Sequence, residues 1–159
     1  MAKEAILREI VARLRGELQL LNRAASDARE GATDDEVKSD GKYDTRGLES
    51  SYLARGHAMK FEALAADVRL LEGFNCPLFS SSDPIGLGAL VELRFAAETF
   101  FYIVLPRGGG IEVDVAGVPG EITVLTPDSP LGGKLLDRRV GERVAGVASS
   151  SGATIVSVT

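Results

Sequence analysis

The chain of 159 residues has a formal net charge of -5, a pI of about 5.0 and 45% hydrophobic residues, which suffices for one ordinary domain or two small ones. A mildly acidic chain is a poor candidate for binding nucleic acid through a basic face. A partner approached through the acidic stretch at 38–47 should be electropositive or carry a metal ion. The single Cys76 cannot form an internal disulfide, and no apolar run approaches the ~20 residues of a membrane span. Residues 1–25 carry charges throughout, so we expect a cytoplasmic protein without a signal peptide.

Residues 1–73 are predicted to form an antiparallel helical hairpin. Apolar residues recur three or four positions apart in the first arm, which is one stripe of a helix. The stripe consists of Ile6, Ile10, Leu14, Leu18, Leu21, Ala25, Ala28 and Ala32, and the second arm has a seam of Phe61, Leu64, Val68 and Leu71. Residues 38–47 between the arms are rich in glycine, serine and threonine, which favour a turn. Two such helices pack as a coiled coil, with Asp40 and Asp44 in the turn at its far end.

Residues 74–88 are predicted to be a linker because proline, serine and glycine are dense there. From residue 89 to residue 159 the apolar period changes from helical to alternating, which predicts short strands. We place them at 90–95, 99–104, 111–115, 121–125, 143–148 and 153–158. Ser129 and Pro130 predict the N-cap and first position of a short helix that runs to Leu136. The predicted fold class is α+β, with a helical hairpin followed by a small, mostly antiparallel sheet and one short helix.

One segment carries a spaced pattern over almost twenty residues. It consists of Ser-Pro-Leu-Gly at 129–132, paired leucines at 135–136 and Val-Gly-Glu-Arg-Val at 140–144. This pattern resembles that of the Gre transcript cleavage factors, the bacterial proteins that rescue backtracked RNA polymerase. The order of hairpin, linker and small sheet domain is also similar to theirs.

The resemblance implies a monomer whose C-terminal domain has an FKBP-like fold. In this family that domain docks on the rim of the RNA polymerase secondary channel, and the coiled coil passes down the channel. The residues that match the docking loop are Asp128, Ser129, Pro130 and Leu131. Ser129 and Pro130 could equally serve only to cap and start the short helix.

The resemblance also implies that acidic residues at the tip help to hold a second Mg²⁺ at the polymerase active site. Asp40 and Asp44 are the candidates for this assisting catalytic and metal-binding role. Mg²⁺ is usually bound by one or two carboxylates together with waters, and a second ion can activate the attacking water. The protein would then be a cofactor of the polymerase and not an enzyme, with no stably bound cofactor of its own. It would meet nascent RNA and DNA only indirectly, within the elongation complex.

The tip departs from the family pattern, in which the two acids lie three residues apart. Asp40 and Asp44 lie four apart, and no register reproduces both acids. The first alternative is therefore a regulator that occupies the channel without promoting cleavage, with the two aspartates acting only as turn and cap residues. A more distant alternative is a peptidyl-prolyl isomerase, which would need a pocket lined by Phe95, Phe100, Phe101 and Tyr102.

Overall fold

The computed structural model describes residues 2–38, 45–146 and 152–159. Two long helices come first, α1 (Ala2–Lys38) and α2 (Thr45–Glu72). Six strands and a short helix follow: β1 (Leu90–Phe95), β2 (Glu98–Val104), β3 (Glu112–Val113), β4 (Ile122–Leu125), α3 (Pro130–Leu135), β5 (Arg143–Val144) and β6 (Ala153–Val158). The α+β fold class is confirmed. Within the described residues, no helix combines the length and the apolar character needed to span a membrane.

The chain divides into two compact units. One consists of Ala12–Arg69 and is helical throughout its described part. In it Leu14 and Val68, members of the predicted stripe and seam, are buried. The other consists of Met1–Val11 together with Leu70–Thr159. The base of each long helix therefore belongs to the same unit as the sheet, which differs from the predicted boundary after residue 73.

The six strands form one sheet in the order β3-β4-β2-β1-β6-β5. Every neighbouring pair is antiparallel except β2 and β4, which run parallel and pair Phe101 with Ile122. Two edge strands are shorter than predicted. β3 ends at Val113 because the chain turns at 115–118, and β5 ends at Val144 because it turns into Gly146, whose φ is +83°. Residues 147 and 148 of the predicted fifth strand lie outside the described residues.

Both faces of the sheet are covered within this unit. The first face packs against α3 and against the segment before β1. The buried core on this face consists of Ile85, Ala89, Val91, Leu93, Val104, Leu125, Leu135, Val144, Ala153, Ile155 and Val158. On the second face Ile103, Ile122 and Val124 are fully buried. Ile10 of α1 and Leu71 of α2 are also fully buried, and a Cβ at Gly108, in the loop after β2, would lie 3.6 Å from Ile10 and 3.7 Å from Leu71. Each fully buried side chain of this size contributes about 1.5–3 kcal/mol.

The segment predicted as a linker, residues 74–88, contributes to this unit. Ile85 is 1% exposed, and its N–H donates to the Arg138 carbonyl at 2.8 Å while its carbonyl accepts from Asp137 N–H at 2.9 Å. The Gly88 N–H donates to the Val104 carbonyl at 2.7 Å, which ties the end of the segment to β2. These bonds satisfy backbone groups that burial would otherwise leave costly.

Candidate functional site

The candidate docking residues lie in the loop before α3 and in its first turn. Ser129 is the N-cap, with extended backbone (φ −71°, ψ 149°), and its hydroxyl accepts a hydrogen bond from Gly132 N–H at 3.1 Å. The same hydroxyl donates to the Thr126 carbonyl at 2.7 Å, and Ser129 N–H donates to that carbonyl at 3.0 Å. Pro130 follows at the first helical position, where its missing N–H costs nothing. The predicted capping roles of Ser129 and Pro130 are confirmed.

Gly132 allows this loop to pack closely against the helix, which the sequence alone did not indicate. A Cβ at this position would lie 2.0 Å from the Thr126 carbonyl oxygen and 2.6 Å from Ser129 Oγ. Only glycine therefore lets the first turn of α3 approach the Thr126 carbonyl so closely. Gly133 is far less constrained, since its Cβ would lie 3.3 Å from the Pro127 carbonyl. Glycine at 132 is a requirement of this loop, and glycine at 133 is not.

The four candidate residues divide by exposure. Asp128 and Pro130 are exposed, whereas Ser129 is half-buried and Leu131 packs partly against the hydrophobic core. Within the described residues, the Asp128 side chain makes no hydrogen bond or ion pair. The loop thus presents one carboxylate and one proline ring to solvent from a backbone that capping has fixed. An exposed carboxylate on a fixed loop can pair with a cationic group on a partner.

The remainder of the patterned segment holds the sheet together. Leu135 is fully buried, Val144 is 3% exposed, and Val140 packs against the same core. Gly141 has a φ of +91°, and its N–H donates to the Ile155 carbonyl at 2.8 Å, which ties this turn to β6. The Glu142 carboxylate accepts from Arg139 N–H at 2.5 Å, which closes the same turn.

A second fixed loop lies beside the end of α3. Arg139 donates to the Ser82 carbonyl, and Asp83 accepts from Ser80 N–H at 2.7 Å. These hydrogen bonds from Ser80, with a smaller contribution from the Arg139 charge, hold the pKa of the Asp83 carboxyl below its ordinary value. The carboxylate form of Asp83 therefore stabilises this turn.

Asp40 and Asp44, the candidate metal-binding carboxylates, lie outside the described residues. Within the parts of the chain that are described, no group of three or more His, Cys, Asp or Glu side chains could hold a metal ion. The assignment of Mg²⁺ to the tip therefore stays a prediction.

The aromatic residues of the sheet do not line a single pocket. Phe95 packs against the hydrophobic core. Phe100, Phe101 and Tyr102 border a depression of about 430 Å³, which Glu112 and Glu121 also line. Tyr102 contacts the core as well, and burial raises the pKa of its hydroxyl.

The geometry defines a two-part α+β protein whose sheet unit presents a capped, outward-facing acidic loop. No protein-family model and no curated protein is similar to this chain. Among solved structures, it is similar to the GreA factor homolog 1 (Gfh1) protein of Thermus thermophilus, with 23% identity over 94% of each chain and a TM-score of 0.35. It is also similar to Thermus aquaticus Gfh1, with 22% identity over 92% of each chain and a TM-score of 0.36. A further similar structure, described as the transcription factor Gfh1, has 21% identity over 93% of this chain and 92% of that one, with a TM-score of 0.37.

Proposed function

We propose that the protein is a Gre-type transcription elongation factor that binds RNA polymerase at its secondary channel. The observation that carries the proposal is the loop at 126–132, which coincides with the family-like sequence pattern. Its capping bonds and the glycine at 132 fix the backbone, and Asp128 and Pro130 face solvent from it. A site that is fixed before binding loses little conformational entropy on association. The partner surface would carry positive charge opposite Asp128.

We further propose that the hairpin turn stimulates cleavage of backtracked RNA by the polymerase. Asp40 and Asp44 would contribute carboxylate oxygens, the ligand type that Mg²⁺ prefers, to an ion shared with the polymerase active site. The shared ion would supply charge stabilisation and a water activated for in-line hydrolysis. The protein itself would position carboxylates and perform no reaction alone, acting in the cytoplasm as a monomer.

Docking is tested with Asp128→Asn, because it removes one charge and retains the shape of the side chain. We expect about tenfold weaker binding to purified RNA polymerase, measured by fluorescence anisotropy of labelled protein, for the loss of one interface ion pair. The matched control is Asp137→Asn at the other end of α3, which makes the same charge change on an exposed residue. Equal affinity of Asp128→Asn and the native protein would remove this loop from the interface.

Cleavage is tested on an artificially backtracked RNA polymerase complex with the native protein and with the Asp40→Ala/Asp44→Ala double variant. We expect RNA cleavage with the native protein and its loss with the double variant, while polymerase affinity stays unchanged. Unchanged cleavage by the double variant would show that these two carboxylates do not hold the ion.

A second candidate function is regulation of the polymerase channel without cleavage. The four-residue spacing of Asp40 and Asp44, where the family has three, favours it. In this case the native protein displaces a known channel-binding factor but yields no cleavage product in the same complex. The distant isomerase alternative predicts faster cis–trans exchange of a proline peptide, and we expect no acceleration because the aromatic residues do not form one enclosed pocket.

A further inference from the structure

The sheet unit contains a cavity whose lining residues do not include those of the docking loop at 126–132. It has a volume of about 500 Å³ and lies between the first turn of α1, residues 74–79 and the chain at Leu90 and Thr159. This volume falls within the roughly 300–1,000 Å³ typical of small-molecule sites. Leu7, Phe74, Phe79 and Leu90 supply apolar walls.

One buried cation borders this cavity. Lys3 is 8% exposed and is the sole buried charged residue among the side chains that the structure describes. Its ammonium donates to the Pro77 carbonyl and lies 5.1 Å from the centre of the Phe79 ring. A carbonyl and a ring face are both neutral, so they solvate the charge but do not neutralise it. A buried cation of this kind gains from an anionic partner.

The other groups around the cavity restrict the form of that anion. The first turn of α1 adds backbone N–H groups that lack intrahelical acceptors, and these favour negative charge. The carboxylate of Glu4, which is exposed at the rim, disfavours a ligand with two or more negative charges. Burial raises the pKa of the Cys76 thiol, so Cys76 is a neutral, apolar part of the wall and not a nucleophile.

We propose that this cavity is a binding site for a small amphipathic monocarboxylate. Its carboxylate would pair with the Lys3 ammonium, and its apolar tail would lie between Phe74 and Phe79. The site is independent of the polymerase-docking loop, and it is tested with the protein alone.

The probe is octanoate, titrated into the full chain at neutral pH by calorimetry. We expect saturable binding at one site, with affinity rising about three- to fourfold for each methylene from hexanoate to octanoate. Octan-1-ol, which has a tail of the same length without the charge, should bind at least tenfold more weakly. Octylamine tests the opposite charge, and tighter binding of octylamine than of octanoate would overturn the proposal.

Lys3→Met removes the ammonium and keeps an apolar stem. We expect it to weaken octanoate binding at least tenfold and to leave octan-1-ol binding unchanged. Lys60→Met is the matched control, because Lys60 is exposed on α2. Equal octanoate affinity in Lys3→Met and Lys60→Met would contradict the assigned ion pair.

A second variant keeps the test valid if Lys3→Met does not fold. Leu78 lines the cavity and is 79% exposed, so a polar residue is tolerated there. Leu78→Asp should weaken octanoate binding several-fold relative to Leu78→Asn, without a matching effect on octan-1-ol. N-acetyl-leucine mimics the C-terminus of a peptide, so comparing it with octanoate distinguishes a peptide C-terminus from an aliphatic monocarboxylate as the ligand. Tighter binding of N-acetyl-leucine than of octanoate would replace the proposed ligand class, and absence of saturable binding of either would refute the site.

Discussion

Replacement of Gly132 by alanine should destabilise the sheet unit far more than the same replacement at Gly133. The new Cβ at 132 would have to move from 2.0 Å to at least 3.0 Å from the Thr126 carbonyl oxygen. Because the new Cβ would also lie 2.6 Å from Ser129 Oγ, we expect the displacement to break both bonds of that hydroxyl, the 3.1 Å bond from Gly132 N–H and the 2.7 Å bond to the Thr126 carbonyl. Losing the cap costs about 1 kcal/mol, losing a neutral hydrogen bond about 1, and overpacking about 1–3.

Alanine recovers part of this cost because its helix propensity exceeds that of glycine by about 1 kcal/mol. The expected net loss for Gly132→Ala is about 2–4 kcal/mol in the free energy of unfolding. For Gly133→Ala the gain in helix propensity is opposed only by a 3.3 Å contact. We therefore expect a result between a gain of about 1 kcal/mol and a loss of about 0.5 kcal/mol in the free energy of unfolding. Urea unfolding followed by circular dichroism measures both, and the chain has no tryptophan to follow by fluorescence. The experimental error is on the order of 0.5 kcal/mol. If the unfolding free energies of Gly132→Ala and Gly133→Ala differ by less than this, the close approach at Gly132 is refuted.

Three further predictions concern stability. Ser129→Ala should lower the free energy of unfolding by about 1 kcal/mol through loss of the N-cap, which urea unfolding measures. Ile85→Ala should lower the free energy of unfolding by about 2–5 kcal/mol because the side chain is 1% exposed. Leu78→Ala, at a side chain 79% exposed, should leave it nearly unchanged. Equal shifts in melting temperature for the two variants would contradict the packing of residues 74–88. The folded-state pKa of Asp83 is depressed by Ser80, so its contribution to stability is present above the unfolded pKa near 3.8 and is lost as pH falls through the folded pKa. Asp83→Asn should therefore flatten the acid limb of a stability–pH profile, and an unchanged limb would exclude this role.

The regular parts of the fold could be predicted because their causes are local. The stripe from Ile6 to Leu14 has the period of a helix, and the alternation in β1 and β2 has the period of a strand. The parallel pairing of β2 with β4 could not be read in this way. Alternation assigns a residue to a face of the sheet but says nothing about which strand lies beside it.

The role of residues 74–88 depended on contacts distant in sequence. Proline and serine there correctly indicate turns, but Ile85 packs in the core of the sheet and its backbone bonds to residues 137 and 138, beyond α3. Lys3 is a similar case. Lys3 lies three residues before Ile6, on the side of α1 that carries the apolar stripe, but lysine is rarely buried, and the local sequence does not show that Pro77 and Phe79 surround its ammonium.

The candidate docking site was predictable in part. Ser129 and Pro130 have side chains whose preference for helix starts is intrinsic, so the cap followed from residue type. The requirement for glycine at 132 comes from the Thr126 carbonyl, whose approach no local pattern reveals. Asp40 and Asp44 lie outside the described residues, so their proposed role depends on the cleavage assay.

The family-like pattern has to be separated into residues that the fold requires and residues that it does not. Ser129 caps α3, Gly132 admits the Thr126 carbonyl, and Leu135 fills the core, so selection for folding alone would retain all three. Asp128 differs, because it is exposed and has no bonding partner among the described residues. Loss of polymerase binding in a Ser129 or Gly132 variant would therefore be ambiguous. Loss of binding in Asp128→Asn, with an unchanged free energy of unfolding, would report on recognition alone.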